Sequence, residues 1–324
     1  MSDFASAKKV DWTQIPIIDL LTSSFEEQAS EIISAATTVG FFYVRNHGIE
    51  QALMDQAFAA SRHFFALPET KKSTVQVNQN QRGWMAQGLS NLEGSKTHDA
   101  KEVFFWGWDV DAEDPDVLAG LPLVRPNLWP DEVAPTLKSD LLPFYNQVVA
   151  PGDRLLSAIA LGLAQPGNYF KTYYQKPLAR GQLVYYPPSQ AADESEQRFG
   201  AAAHSDFGAL TILLQDSLGG LQVQNLNGDW IEAPPIPGTF VCNIGDLLER
   251  WTNKRLVSTK HRVINRSKQA RFSIPIFYDP SSDAIIDPRE MGTSDEAALF
   301  PSITAGDHIA GRNRRNFSHY ETSA

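Results

Sequence analysis

The chain has 324 residues, 42% of them hydrophobic and 20% charged. That is an ordinary globular make-up, with enough length for a sizeable buried core. A net charge of −10 argues against a nucleic-acid partner, which calls for a basic face, and an anionic small substrate would need local positive charge.

A single cysteine, Cys242, excludes an intrachain disulfide and favours a reducing compartment. In the apolar run Gly238 to Ile244 it reads as a small core residue rather than a catalytic thiol. No apolar stretch approaches the roughly 20 residues of a membrane span, and no secretory signal is visible after Met1. We expect a cytoplasmic protein with no membrane partner.

In chain order, Ile15 to Leu20 predicts a short strand, with Pro16 suited to a sheet edge. Phe25 to Thr38 carries apolar residues at helical spacing, opens on Glu26 and Glu27, and ends at Gly40. Phe41 to Val44 is a strand, Asn46-His47-Gly48 a turn, and Gln51 to Phe65 a second amphipathic helix. A third helical region runs from about Asp131 to Ala164, broken at Pro151-Gly152.

From Leu183 the texture changes to short β-rich runs. These are 183–186, 209–214, 220–223, 230–231, 239–244, 262–265 and 272–278, with a hairpin signal at Asn227-Gly228. Such spacing predicts a sandwich or barrel, and a jelly roll fits best. The expected fold is mainly β with flanking helices: a double-stranded β-helix buttressed by N-terminal helices. Residues 1–175 form the helix-rich part and 176–324 the jelly-roll part of one structural unit. Pro187 to Gly200 is polar, and reads as a solvated loop or as a flap over the site.

His204-Ser205-Asp206 offers two ligands two residues apart, on one side of a strand end. His261 follows beyond several strands, and a closed barrel can return it beside the first pair. Two imidazoles and a carboxylate suit Fe(II) and leave coordination positions open. Zinc is chemically possible, but the HExxH helix and a nearby base are missing. Arg271 and Ser273, ten residues beyond, add a fixed cation and a hydroxyl suited to a carboxylate, on what reads as a neighbouring part of the same β excursion.

The other histidines (His47, His63, His98, His308 and His319) lack partners at ligand spacing. Leu213, Val263 and Phe277 are candidates for a dry wall around the metal. Trp84, Phe104, Phe105 and Trp106 are candidates for a substrate mouth, although aromatic clusters more often pack a core. Asp246 reads as a cap for a turn or for the helical segment 247–251. Arg312, Arg314 and Arg315 read as a solvated tail helix.

Taken together, these segments resemble the 2-oxoglutarate/Fe(II)-dependent dioxygenases of the isopenicillin N synthase-like family. The likeness spans nearly the whole chain. It runs through Ile15 to Leu20, Gly40 to Ile49, Lys101 to Phe104, Tyr185 to Pro188, His204 to Thr211, Asn243 to Asp246, His261 to Val263, and Arg271 to Ser273. The resemblance implies that His204, Asp206 and His261 hold iron. It further implies that Arg271, Ser273 and Tyr186 hold the far carboxylate of 2-oxoglutarate. Two positions depart from the common pattern: Val184 stands where many plant members have Asn, and Gln182 where Arg is common.

The reaction so implied consumes O2 and 2-oxoglutarate, releases succinate and CO2, and hydroxylates or desaturates a small molecule. Two alternatives stay open at this point. One is an oxidase of the same fold that does not use 2-oxoglutarate, since such members also carry the Arg-x-Ser pair. The other is a non-catalytic, metal-containing protein for binding or sensing. Substrate and oligomeric state are not legible.

Overall fold

The computed structural model describes residues 5–10, 15–22, 24–90, 97–291, 297–317 and 320. Strand β1 (Ile17–Asp19) is followed by helix α1 (Phe25–Ala36), which opens on a capping box between Ser24 and Glu27. Strand β2 (Phe41–Arg45) and helix α2 (Gln51–Phe65) come next, then the short α3 (Glu69–Lys72). Strands β3 (Gly83–Met85) and β4 (Glu102–Trp106), the short α4 (Pro115–Leu118) and the long α5 (Leu137–Gly162) complete the first half.

The second half begins with β5 (Arg180–Tyr186), the short α6 (Ala192–Ser195), β6 (Ala201–His204), β7 (Leu210–Gln215), β8 (Leu221–Gln224) and β9 (Trp230–Glu232). It continues with β10 (Thr239–Ile244), α7 (Asp246–Trp251), β11 (His261–Val263) and β12 (Arg271–Tyr278). It closes with β13 (Ile285–Ile286), β14 (Ile303–Thr304) and α8 (Ala305–Asn316).

Two sheets face each other. The larger has the order β1-β2-β10-β7-β12-β5-β4-β3, and the smaller β6-β11-β8-β9. This is the predicted jelly-roll core. Alternation divides the large sheet into two faces. One carries Phe104, Trp106, Leu183, Ile212, Phe240, Cys242 and Ile274 into a core shared with α1, α2 and α5. The other carries Phe41, Val103, Phe105, Val184, Tyr186 and Val241 toward the small sheet's Ala201, Leu221, Val223 and Val263. The helices therefore back one sheet, while the space between the sheets remains for a site.

The strand expectations hold for β1, which lies at the sheet edge beside Pro16, and for the β8–β9 hairpin, whose Gly228 sits at φ +82°. The predicted break at Pro151-Gly152 is wrong. Helix α5 runs through both Pro143 and Pro151, and begins at Leu137 rather than near Asp131. A mid-helix proline forfeits one backbone bond, but the apolar stripe of Val148, Leu155, Leu156 and Ile159 is buried on both sides of the pair. Gly152 has a packing reason: a Cβ there would meet the Tyr278 ring at 2.7 Å, and Tyr278 donates to Asp153 Oδ1 at 2.6 Å. The pair thus marks where α5 presses against β12. Strands β3, β4 and β6 were not predicted as elements, while the tail helix expected around Arg312 to Arg315 is α8.

Candidate metal centre and co-substrate cavity

Strand β6 ends on His204, and antiparallel pairing sets His261 of β11 directly opposite it, with the imidazole centroids 4.3 Å apart. Asp206 lies just past the strand end. Its backbone is pinned there, because its carbonyl accepts from the Asp246 N–H at 2.7 Å. Gly208 lets the loop close, since a Cβ at that position would lie 1.9 Å from Asp279 Oδ1. Asp206 Oδ1 is 3.6 Å from His261 Nε2 and 4.0 Å from His204 Nε2. One ligand atom from each of the three residues falls within 4.8 Å of the others. The structure brings together the triad that the sequence singled out.

The orientation of each ligand is built in. His204 Nδ1 lies 2.6 Å from the Ala202 carbonyl, and His261 Nδ1 3.3 Å from the Thr259 carbonyl. A carbonyl can only accept, so each Nδ1 carries the hydrogen and each Nε2 presents its lone pair to the common point. Asp206 Oδ2 accepts from Thr211 Oγ1 at 2.6 Å and Asn243 Nδ2 at 2.8 Å, leaving Oδ1 toward the histidines. Burial alone would raise the Asp206 carboxyl; His261, His204 and these two hydrogen bonds outweigh it, and the net direction is downward. Burial, reinforced by His261, pulls His204 down to about 4, so both groups are in ligand form at neutral pH.

Thr211 and Asn243 were missed as site residues. Their signal lay inside the resembling segments, on strands β7 and β10, but only the pairing of those two strands aims them at Asp206.

Arg271, Ser273 and Tyr186 line the same cavity as the triad, from the opposite wall. The expectation that Arg271 neighbours His261 on one β excursion is corrected. His261 belongs to the small sheet and Arg271 opens β12 of the large one, so the chain crosses the sandwich between them. Arg271 pairs with Tyr186 across β12 and β5, and its guanidinium lies 4.7 Å over the Tyr186 ring. Nε of Arg271 donates to the Gly219 carbonyl at 2.5 Å and Nη2 reaches Gln215 Oε1 at 3.4 Å. Nη1 is buried with no partner among the described residues. Ser273 Oγ and Tyr186 Oη are 3.5 Å apart beside it.

The remaining expectations divide. Leu213, Val263 and Phe277 line the cavity, as does Val184 at the position of the missing amide. Gln182, at the position where Arg is common, also lines the site. Of the four aromatics proposed for the mouth only Phe105 reaches it. Trp84, Phe104 and Trp106 point to the helix-backed core, because neighbouring strand residues alternate. No residue of 187–200 lines the site, so that segment is a surface loop and α6 rather than a flap.

Asp246 does not cap α7, whose N-cap is Gly245. Its carboxylate accepts from Ser258 and pairs with Arg312 at 3.0 Å. Arg312 is therefore an anchor of α8, while Arg314 and Arg315 are exposed. His63 and His98 are exposed, His47 packs at a tilt against Phe240, and His319 lies outside the described residues.

The chain matches two family models: the N-terminal domain described for the non-haem dioxygenase in morphine synthesis, over residues 15–132, and the 2OG-Fe(II) oxygenase superfamily, over 179–280. It is 35% identical to a homoarginine-6-hydroxylase of Oryza sativa subsp. japonica, over 87% of each chain. It is 34% identical to the 2-oxoglutarate-dependent dioxygenase citB of Monascus ruber, over 89% of each. Among solved structures it resembles a full-length Neurospora crassa protein in complex with alpha-KG, with TM-score 0.81 and 30% identity, covering 95% of this chain and 99% of that one. The same protein has also been solved with alpha-KG and thymine, at TM-score 0.81 and 29% identity over 94% of this chain and 98% of that one. Sequence, fold and site agree: the chain belongs to the 2-oxoglutarate/Fe(II)-dependent dioxygenases of the isopenicillin N synthase-like superfamily.

Proposed function

We propose that His204, Asp206 and His261 hold the Fe(II) of this 2-oxoglutarate-dependent oxygenase, and that Arg271, Ser273 and Tyr186 hold the far carboxylate of its co-substrate. The observation that carries this assignment is the unpartnered Nη1 of a guanidinium 1% exposed, inside the cavity that the triad closes at its other wall. A buried donor without an acceptor is costly, and a carboxylate is the acceptor whose charge and shape fit a guanidinium. The donor set also fits the metal: two neutral imidazoles and one carboxylate, with no thiolate.

Bound together, Fe(II) and 2-oxoglutarate supply O2 activation coupled to decarboxylation, which yields succinate and CO2 and oxidises a substrate C–H bond. The protein's own groups do the rest. The backbone carbonyls of Ala202 and Thr259 fix the tautomers of the two histidines. Thr211 and Asn243 hold Asp206 to one rotation. Arg271 orients the co-substrate by its distal end, and Leu213, Val263 and Phe277 keep water from the reacting face. A small-molecule substrate is supported by the thymine complex of the Neurospora crassa relative.

We further infer that residues 1–175 and 176–324 act as one structural unit, supported by the large sheet taking β1–β4 from the first and β5, β7, β10 and β12 from the second. No helix among the described residues is long and apolar enough to cross a membrane. The single cysteine still favours a reducing, cytoplasmic setting.

The direct test is Arg271→Ala. It should raise the KM for 2-oxoglutarate by about 100-fold, the cost of a charged hydrogen-bond partner of roughly 2–3 kcal/mol, while one Fe(II) still binds in an anaerobic metal titration. An unchanged KM rejects the anchor assignment.

A further inference from the structure

An outer chamber opens beside the metal triad, bounded by β4, β5, β12, the loop after β6 and the last turn of α8. It shares Lys101, Gln182, His204, Asp206 and Phe277 with the inner cavity. Resting on the oxygenase assignment above, we propose that this chamber selects an uncharged, planar, amide-like ring as primary substrate.

The first observation is charge balance. Lys101 pairs with Asp99 at 3.0 Å and Arg180 with Asp279 at 2.8 Å. Arg312, packed on Phe207 at the rim, pairs with Asp246 at 3.0 Å. Asp99 and Asp279 are 1% and 0% exposed, and both accept further bonds, from Ser90 and Ala202 and from Ala209. Among the described residues of the lining, each cation has a carboxylate partner, although Arg180 Nε is itself unpartnered, and the one lining carboxylate, Asp206, is the proposed metal ligand. Arg82, buried nearby, lies outside this lining and gives its amino groups to the carbonyls of Asn80, Gln81 and Leu123. The inner site is balanced too, since the charges of Fe(II), Asp206, 2-oxoglutarate and Arg271 cancel. A charged substrate would leave water without a counter-charge, whereas a neutral one would not.

The second observation is shape. Phe105, Phe207, Phe277 and Phe317 line the chamber. Two of these rings already have a guanidinium over one face: Arg312 at 4.7 Å from the centroid of Phe207, and Arg180 at 5.4 Å from that of Phe277. Flat rings stack on such faces in offset or edge-on geometry. The third observation is polarity. Gln81, Gln182 and Asn313 place three carboxamides around the same space. Gln182 sits at the boundary with the metal site, and no hydrogen bond among the described residues engages its side chain. A carboxamide both donates and accepts, and its natural complement is another amide edge.

The test uses the full chain loaded with Fe(II) and saturating 2-oxoglutarate without O2, so that no probe enters the Arg271 site. After metal and co-substrate binding have each been recorded by calorimetry, four probes are titrated: benzamide, benzoate, benzylammonium and cyclohexanecarboxamide. We expect benzamide to bind at least about tenfold more tightly than each of the other three. Gln182→Leu should cut that preference about tenfold with 2-oxoglutarate affinity unchanged, and Phe207→Leu should erase the margin over the non-planar amide.

Equal or tighter binding of benzoate or benzylammonium, or no binding of any ring, overturns the substrate class while leaving the oxygenase assignment in place. Failure of the metal or of 2-oxoglutarate to bind in the first step overturns that assignment, and this proposal with it. If Gln182→Leu does not fold, Phe207→Leu and the four-probe ranking of the unmodified protein still decide.

Discussion

Asp206 holds its place through two bonds to a single oxygen. Thr211 and Asn243 both donate to Oδ2, and this leaves Oδ1 as the atom facing the two Nε2 groups. Removing one donor leaves a buried carboxylate free to turn, so the consequence belongs to metal affinity before anything else. Asn243→Leu should weaken Fe(II) or Mn(II) binding by about 10–100-fold, the usual effect of losing such a support. A competitive chelator titration measures this, and an affinity within a factor of two of the parent would show that Asn243 plays no such part. Val184 gives the opposite lesson. It is buried and lines the cavity where an amide is common in plant members, so polar contact to the proposed co-substrate, apart from Arg271, is left to Tyr186 and Ser273.

At the scale of elements, the decisive contacts are those that fix a helix against the sandwich. Helix α5 meets β12 at Gly152, where a side chain would strike the Tyr278 ring. Gly152→Ala favours the helix by propensity, by about 1 kcal/mol, but the overlap at 2.7 Å forces a shift of the ring or of the helix. Overpacking of this kind costs about 1–3 kcal/mol. The net expectation is a loss of stability in urea unfolding; a gain would mean that Tyr278 moves freely.

Helix α8 is seated by Arg312 on Asp246, and its His308 is pushed down to about 4, chiefly by burial. The free imidazole has a pKa near 6.5, so between about pH 6.5 and 4 the unfolded chain binds the proton that the folded chain refuses. Stability is therefore intact above pH 6.5 and falls as the pH drops through that window. His308→Leu should flatten part of this slope in melting temperatures measured from pH 7 to 4.5, and an unaltered slope would place the titration elsewhere.

For the whole molecule, the site spans the gap between two sheets. His204 and His261 come from the small sheet, Arg271, Ser273 and Tyr186 from the large one, and Asp206 from the crossing between them. On the proposed assignment, metal and co-substrate bind an arrangement that exists only when both sheets are packed together. Binding to the folded state alone should stabilise it by about 2.7 kcal/mol at a hundredfold excess over Kd. The melting temperature should rise with Mn(II) and 2-oxoglutarate and fall back on chelation. Equal melting points with and without them would mean that the site is not assembled from both sheets in solution.

What the chain determined by itself was of two kinds. Local alternation and helical spacing placed most strands and the helices α1 and α2, because which side a residue faces depends on its immediate neighbours. The chemically specific groups, His204, Asp206, His261 and Arg271-x-Ser273, announced the type of centre because few residue sets suit Fe(II) and a dicarboxylate together. Tertiary structure alone decided the rest. It carried α5 through Pro151 by burying the helix on both sides, and it turned Phe105 inward while Trp84, Phe104 and Trp106 faced the helices. It also set His261 and Arg271 on opposite sheets despite ten residues of separation, brought Thr211 and Asn243 to Asp206, and made Arg312 an anchor rather than a solvated charge. The reason is common to all of these: sequence spacing fixes periodicity along one element, but the partner across a gap is set by which strands pair and how two sheets close, a matter of packing between residues far apart in the chain.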